Sequence, residues 1–366
     1  MPDQPLLQPV TLGPYTLKNR IVMAPMTRSR ANNPDRAPTN MHVTYYGQRA
    51  SAGLIITEAT QVSPQGVGYI HTPGLHSAAQ VAAWRDVTTA VHAAGGTIFS
   101  QIFHVGRVSH PDFHNGELPV APSAINPEAM SFTTKGRQQT VTPRALETAE
   151  IEGVVADFVQ AAKNAVKAGF DGVELHGANG YLINQFLADG ANQRDDRYGG
   201  SVANRSRFLF DILDGVTHAI GARRTALRLG PSGLGALPIA DSNSRMLYEY
   251  VITRLNDYKL AYLHLIEPSY SVADIPNTVQ NVTRHFRPFF DGVLVTNNGY
   301  DRERGNAVIA AGHADLVAYG KPFISNPDLP QRFRLNAPLA EGDAATFYQG
   351  GREGYIDYPP LRAEVA

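Results

Sequence analysis

One unit recurs along this chain: a short, near-continuously apolar run rich in β-branched residues, followed by a longer amphipathic stretch. The strand-like runs fall at 20–26, 54–60, 97–104, 172–177, 226–231, 262–267, 293–297 and 316–320. Runs without polar alternation suit parallel strands covered on both faces. Helical periodicity appears at 39–51, 78–94, 148–168, 203–220, 244–259, 278–289, 302–311 and 326–335. Thr148, Ser201 and Asp301 each offer a side-chain acceptor at a helix start. Gly169, Gly221 and Gly312 stand where a helix end favours a left-handed residue. Eight strand–helix units predict an α/β fold, a single (β/α)8 TIM barrel. A doubly wound sheet would alternate in the same way, but no G-x-G-x-x-G follows an early strand.

A minimal barrel needs about 250 residues, so a chain of 366 carries a surplus. The stretch 8–18 contains two short runs around Gly13-Pro14 and predicts a β-hairpin that plugs the N-terminal end of the barrel. The stretch 106–141, with Pro111, Pro119, Pro122 and Pro127, predicts a capping insertion after the third strand. No linker or solenoid repeat divides the chain, so 1–366 is expected to be one domain.

Composition narrows the function. A net charge of −1 argues against nucleic acid as a partner. No apolar run reaches the length of a membrane span, and the N-terminus lacks a signal-peptide pattern, so a cytoplasmic location is expected. The chain has no cysteine, which removes disulfides, thiolate zinc sites, iron–sulfur clusters and thiol catalysis. Redox chemistry would therefore need a bound organic cofactor. No metal is expected: His104 and His110 stand six apart in a Pro-rich loop, and H-E-x-x-H is absent.

Barrel enzymes work at the C-terminal ends of their strands. Past these runs lie Pro25, Met26 and Thr27; Ala59; Gln101 and Phe103; His176, Asn179 and Tyr181; Arg228; Asn298 and Gly299; and Gly320 and Lys321. The two glycines after the last strands are placed to cradle a phosphate with backbone N–H groups, with Lys321 as a point charge; they can equally be plain turns. His176 and Asn179 are two donors able to polarise one carbonyl or nitro oxygen, and Tyr181 can supply a proton. The alternative is a satisfied structural histidine beside a loop asparagine. Arg228 wants an anionic partner, either a cofactor or a structural carboxylate. Gln101 and Thr27 can hydrogen-bond a flat heterocycle or serve the core. Tyr69, Phe103 and Tyr348 can line a pocket or simply pack. The polar segment 192–205 is expected to be held structurally by Arg–Asp pairs.

Several long motifs then occur in order: 19–28 (NRIVMAPMTR), 101–110 (QIFHVGRVSH), 176–186 (HGANGYLINQF), the run 192–207, 324–329 (ISNPDL) and 354–359 (GYIDYP). On these the whole chain resembles the Old Yellow Enzyme family of FMN-dependent ene-reductases, in particular its N-ethylmaleimide and nitrate-ester reductase group. The resemblance implies non-covalent FMN at the barrel mouth and NADPH or NADH as donor. It places Pro25, Met26, Thr27 and Ala59 beside the flavin ring, Gln101 and Arg228 at its pyrimidine side, and Asn298, Gly299, Gly320 and Lys321 around its phosphate. His176 and Asn179 would hold the substrate oxygen, against the flavin, and Tyr181 would donate the proton. Tyr69, Phe103 and Tyr348 would wall the substrate pocket. The partners implied are NAD(P)H and small activated alkenes, with the chain a monomer or homodimer.

Four positions depart from common family patterns. Lys321 replaces an arginine and loses bidentate phosphate geometry. Phe103 replaces a tryptophan, implying a roomier pocket without an indole donor. Thr27 stands where another branch has cysteine, and Asn179 where part of the family has a second histidine. The implied activity is ping-pong reduction of α,β-unsaturated carbonyls, imides and nitroalkenes. The alternatives are a flavin-binding sensor or storage barrel, and a flavin-free barrel lyase.

Overall fold

The computed structural model describes residues 4–232 and 239–361. Eight parallel strands close on themselves: β1 (Ile21–Met23), β2 (Leu54–Ile56), β3 (Ile98–Phe103), β4 (Gly172–Gly177), β5 (Thr225–Leu229), β6 (Leu263–Ile266), β7 (Leu294–Asn297) and β8 (Leu316–Tyr319). Each pairs with its sequence neighbours, and β8 returns to β1 through Val317–Ile21 and Tyr319–Met23. This is the predicted TIM barrel.

The alternation of each strand explains why the runs are apolar throughout. One parity, including Ile55, Ile98, Val173, Leu227, Leu263 and Val317, faces the helices and joins Trp84, Phe158, Phe208 and Val251 in one core. The other parity, including Val22, Ile56, Phe99, Ala226, Val295 and Leu316, fills the barrel itself. Leu12 and Leu17 of the N-terminal hairpin, Val10–Leu12 against Tyr15–Leu17, pack into that inner cluster from below. The Tyr15 hydroxyl donates to the Asp171 carbonyl at 2.7 Å and fixes the hairpin at the N-terminal end.

Helices α1 (Asn40–Gln48), α2 (Ala78–Ala93), α3 (Thr148–Lys167), α4 (Arg207–Ile220), α5 (Ser244–Leu255), α6 (Val282–Phe286), α7 (Arg302–Ala310) and α8 (Leu329–Leu335) form the outer layer. Four details depart from the expected pattern. The N-cap of α3 is Glu147, not Thr148: the Glu147 N–H donates to Glu150 at 2.7 Å, while the Thr148 hydroxyl donates to Asp196 at 2.6 Å. The expected helix at 278–289 shortens to α6 and a 3-10 turn, because Glu267 accepts from the Val282 and Thr283 N–H groups, both at 2.8 Å, and so starts the helix there. The expected helix at 326–335 starts only at Leu329, as α8, because Asn326 before Pro327 leaves the helical region, and a separate short helix, Lys321–Ser325, precedes it. A short helix at Leu182–Leu187, too brief to show a period, follows β4.

The stretch 106–141 holds a 3-10 turn, a short strand Val120–Ala121 beside Arg144–Ala145, and a hairpin of Met130–Thr133 with Gly136–Gln139. Arg194 ties it to the loops after β4, donating to Pro122 O and Leu146 O while pairing with Asp196. That pairing is the structural role expected of the segment 192–205. Among the described residues no helix is long and apolar enough to cross a membrane.

Candidate active site

The C-terminal ends of β3 and β4 meet under the loop that follows β2. Ala59, Phe103, Val105 and Val108 form a small apolar cluster against which Tyr69 and Tyr181 pack. Within it, His176 lies edge-to-face with Tyr181 at 4.9 Å between ring centres, and Phe103 stacks on His176 at 6.3 Å. Ladder pairing places Arg228 on β5 directly beside His176.

The turn after β4 aims these groups. Asn179 has φ +58° and Gly180 φ +80°, so the backbone runs left-handed for two residues. Asparagine tolerates that region and glycine enters it freely. The same Asn-Gly device closes β7, where Asn298 and Gly299 have φ +82° and +78°. There the Asn298 amide donates to Glu267 O at 2.8 Å and pins the turn.

The protonation states suit the expected roles. Burial, with the nearby Arg228 charge, pushes the His176 pKa well below the usual imidazole value. His176 is therefore neutral. Its Nδ1 accepts from the Ala178 N–H over a long 3.4 Å, which leaves Nε2–H free to donate toward the mouth. Burial, with Tyr69 and Tyr348 adding, raises the Tyr181 pKa well above that of a free phenol, although Arg228 opposes the shift. The Tyr69 and Tyr181 hydroxyls lie 2.9 Å apart.

The donor set fits a flat anionic cofactor. Arg228 is buried, its Nη2 donates to Asn297 at 2.8 Å, and its Nε has no hydrogen-bond partner among the described residues. Among the described residues the side chains of Thr27 and Asn179, both half-buried, also have no hydrogen-bond partner. Pro25 and Met26 continue β1 toward the mouth, and a Cβ on Gly320 would lie 3.6 Å from the Met26 sulfur, so β1 and β8 border one space. Lys321 is exposed at the start of the short helix after β8.

Two expected residues differ from their sequence reading. Gln101 is partly committed: its Nε2 donates to Glu174 at 2.7 Å, and because a carboxylate only accepts, the amide orientation is set. Only Oε1 and one amide hydrogen remain for a ligand. Tyr348 lies at the outer edge, near enough to raise the Tyr181 and Tyr69 pKa values yet 65% exposed on the lip of an open cleft it shares with Ser29, Met41, Ile70 and His71. Glu174 and His264 escaped sequence reasoning, and Glu58 and Asn297, though they stand at strand ends, carried no expected role. Each is buried among apolar strand residues. The available signal was parity, since Glu174 lies two positions before His176 and shares its inward face.

The comparisons agree with this geometry. Residues 5–340 match the model of the NADH:flavin oxidoreductase / NADH oxidase family. The chain is 43% identical over 363 residues to 12-oxophytodienoate reductase 1 of Oryza sativa subsp. japonica, covering 98% of this chain and 93% of that one. Morphinone reductase in complex with tetrahydroNAD superposes with a TM-score of 0.93 at 46% identity, covering 100% of this chain and 99% of the other. The old yellow enzyme homologue from Zymomonas mobilis gives a TM-score of 0.92 at 43% identity, covering 97% and 99%. A flavin-free lyase is thereby overturned. With nearly the whole chain matched by these relatives, it belongs to the NADH:flavin oxidoreductase / NADH oxidase family, as a flavin-dependent NAD(P)H oxidoreductase of the Old Yellow Enzyme type that reduces activated alkenes.

Proposed function

We propose that the chain reduces the C=C bond of α,β-unsaturated carbonyls, imides and nitroalkenes in two half-reactions at one site, with FMN held non-covalently and NADPH or NADH as donor. Bound FMN would supply the hydride chemistry that links the donor to the β-carbon of the alkene. The observation that carries the reading is the neutral His176 packed against Tyr181, whose hydroxyl meets that of Tyr69 at 2.9 Å.

His176 Nε2–H and the Asn179 amide would donate to the substrate oxygen and draw electron density from the β-carbon. They also lie beside the space assigned to the cofactor. Tyr181, kept protonated by burial, would deliver its proton to the α-carbon. A tyrosinate left in this apolar cluster would be costly, and the Tyr69 hydroxyl is placed to donate to it. Phe103 would bound the substrate on the β3 side, and Tyr348 would bound it at the outer lip.

For the cofactor, Thr27 would donate to the ring, with Pro25, Met26 and Ala59 as an apolar wall. Arg228 and the free Oε1 of Gln101 would meet its polar edge. Asn298, Gly299, Gly320 and Lys321 would receive the phosphate, with a single point charge in place of an arginine fork. The insertion 106–141 and its Val108 would shield the mouth from water, within a single domain.

Stopped-flow absorbance separates the half-reactions. NADPH should bleach the flavin of the holoenzyme, and cyclohexenone under nitrogen should restore it. Tyr181→Phe should slow only the second step, by about 10²-fold or more. Equal loss in both steps would remove Tyr181 from the proton-donor role. Bleaching without reoxidation by any activated alkene would favour a sensor or storage barrel.

A further inference from the structure

Beneath the mouth, inside the barrel, lie two buried polar residues, Glu174 and His264, that the proposed reaction does not use. Glu174 on β4 is wholly buried, with Phe99, Ala226 and Val295 filling the barrel around and below it. One carboxylate oxygen accepts from Gln101 Nε2 at 2.7 Å, across the β3–β4 ladder where the two residues are paired. The other accepts from His264 Nδ1 at 2.8 Å. His264 sits two strands away on β6, and it reaches Glu174 over β5 because Ala226, the residue paired with Glu174 on β5, is small.

The charges of this pair are uneven. Burial in a site that already holds Arg228 keeps His264 below its ordinary pKa, so it is a neutral donor. Burial pushes Glu174 up, but His264, Arg228 and Gln101 together outweigh it and hold the carboxyl below its usual range. Glu174 is therefore an ionised group in the barrel interior. Arg228 lies one layer nearer the mouth and makes no ion pair with any carboxylate within 4.0 Å among the described residues. Each charge thus offsets the other at a distance, and both lie beneath the space assigned to the flavin.

We propose that Glu174 is a positioning residue that sets how readily the bound flavin accepts electrons, by turning the Gln101 amide so that Oε1 is its free oxygen and by opposing the charge of Arg228. The inference rests on the reading of the mouth as the flavin site. Reduction adds negative charge at the mouth. A fixed carboxylate behind Arg228 weakens the attraction that Arg228 exerts on that charge, and it does so strongly because the interior screens poorly. A device of this kind keeps the reduced cofactor a good hydride donor, where an uncompensated arginine would hold the electrons back.

The test is the two-electron midpoint potential of the holoenzyme, measured by equilibration with a reference dye. Glu174→Gln keeps the shape and removes the charge. It should shift the equilibrium toward the reduced form by about tenfold or more, which is about 30 mV upward for a two-electron couple. Glu174→Asp keeps the charge and should lie close to wild type. His264→Leu takes a donor from the carboxylate, favours its neutral form, and should move the potential in the same direction as Glu174→Gln. That second route carries the test if Glu174→Gln yields no flavin-loaded protein. A flavin-loaded Glu174→Gln or His264→Leu protein with an unchanged or lowered potential overturns the assignment, because a merely structural role would alter stability or occupancy and leave the potential alone. Wild-type protein that binds no flavin would instead overturn the reading of the mouth itself.

Discussion

Two glutamates in this barrel are buried to the same degree and behave oppositely. Glu58, just past β2, and Glu174, on β4, expose 1% and 0% of their surface. Glu174 is held below the usual carboxylate range by two short hydrogen bonds and the Arg228 charge, against the upward push of burial. Glu58 is pushed up to about 7, with burial the dominant cause. Its contacts are longer: the Arg28 N–H at 3.4 Å and the Tyr46 hydroxyl at 3.3 Å. The arginines near it are engaged elsewhere. Arg28 donates to Phe347 O, Gly354 O and the Tyr45 hydroxyl at 2.7–2.9 Å, and Arg30 donates to Thr346 O at 2.7 Å. His42 cannot compensate, because burial drives its pKa to about 3 and it stays neutral. Equal burial thus yields a permanent charge where neighbouring strands supply short donors, and a group that titrates near neutrality where they do not.

The largest expected effect follows from replacing each glutamate by leucine. Glu174→Leu strands the Arg228 cation and leaves His264 and Gln101 without their acceptor. Removing one member of a buried charge network typically costs about 3–5 kcal/mol. Glu58→Leu, measured at pH 6 where Glu58 is mostly protonated, removes no charge but leaves the Tyr46 hydroxyl and the Arg28 N–H without their long-range acceptor, and should cost less, about 1–3 kcal/mol. Urea unfolding of both variants against wild type reads the difference. Equal losses would break the comparison and would mean that Glu58 is also ionised.

The difference between these sites also marks what the amino-acid sequence can reveal. All eight apolar runs become barrel strands, because a parallel strand buried on two faces has a pattern that few other elements share. The turn bearing His176, Asn179 and Tyr181 is legible by its place after a strand, where barrels direct side chains to the mouth. Glu174 and His264 are hidden by their own strands: Glu174 shares its run with His176, which sits nearer the mouth, His264 is the one polar residue of Leu263–Ile266, and their partnership spans β5 through the small Ala226. The surroundings of Glu58 are less legible still. They depend on Tyr46 from α1 and on backbone carbonyls of residues 346–354 that occupy the arginines. Backbone carbonyls leave no signature in residue identity. The split of the expected helix at 278–289 has the same origin, since the Glu267 carboxylate that starts α6 comes from the end of another element.

A titration sharpens the comparison by about 3 kcal/mol at most. The ordinary value for Glu58 is 4.5 and the folded value about 7. The folded state therefore holds the proton more tightly than the unfolded state between those pH values, and stability falls as pH rises through that window. Below pH 4.5 the penalty is absent; above pH 7 it is fully present and amounts to about 3 kcal/mol. Glu58→Gln cannot ionise and should escape it. The variant should match wild type near pH 4.5 and exceed it in melting temperature at pH 8.5. Glu174 has the opposite sign, since its lowered value adds stability that is lost only as pH falls through the acid range. A Glu58→Gln advantage that is constant across pH would show that packing, rather than ionisation, separates the two proteins.

The smallest expected effect belongs to a third glutamate whose geometry is as good as that of either buried one. Glu150 receives Arg144 through two parallel bonds of 2.6 and 2.9 Å, and it also accepts from the Glu147 N–H at 2.7 Å. The arginine and glutamate side chains are 44% and 38% exposed. Water solvates both ions in the unfolded chain and nearly as well in the folded one, so little is gained by bringing them together. Glutamine can still serve the N-terminal turn of α3 as a capping partner. Glu150→Gln should therefore cost about 0.5 kcal/mol at low salt, and less in molar salt, where the screening length shrinks to about 3 Å. A loss as large as that for Glu174→Leu would mean that hydrogen-bond geometry sets the energy of these glutamates. A small, salt-sensitive loss places the cause in desolvation, which is the variable that the buried pair holds constant.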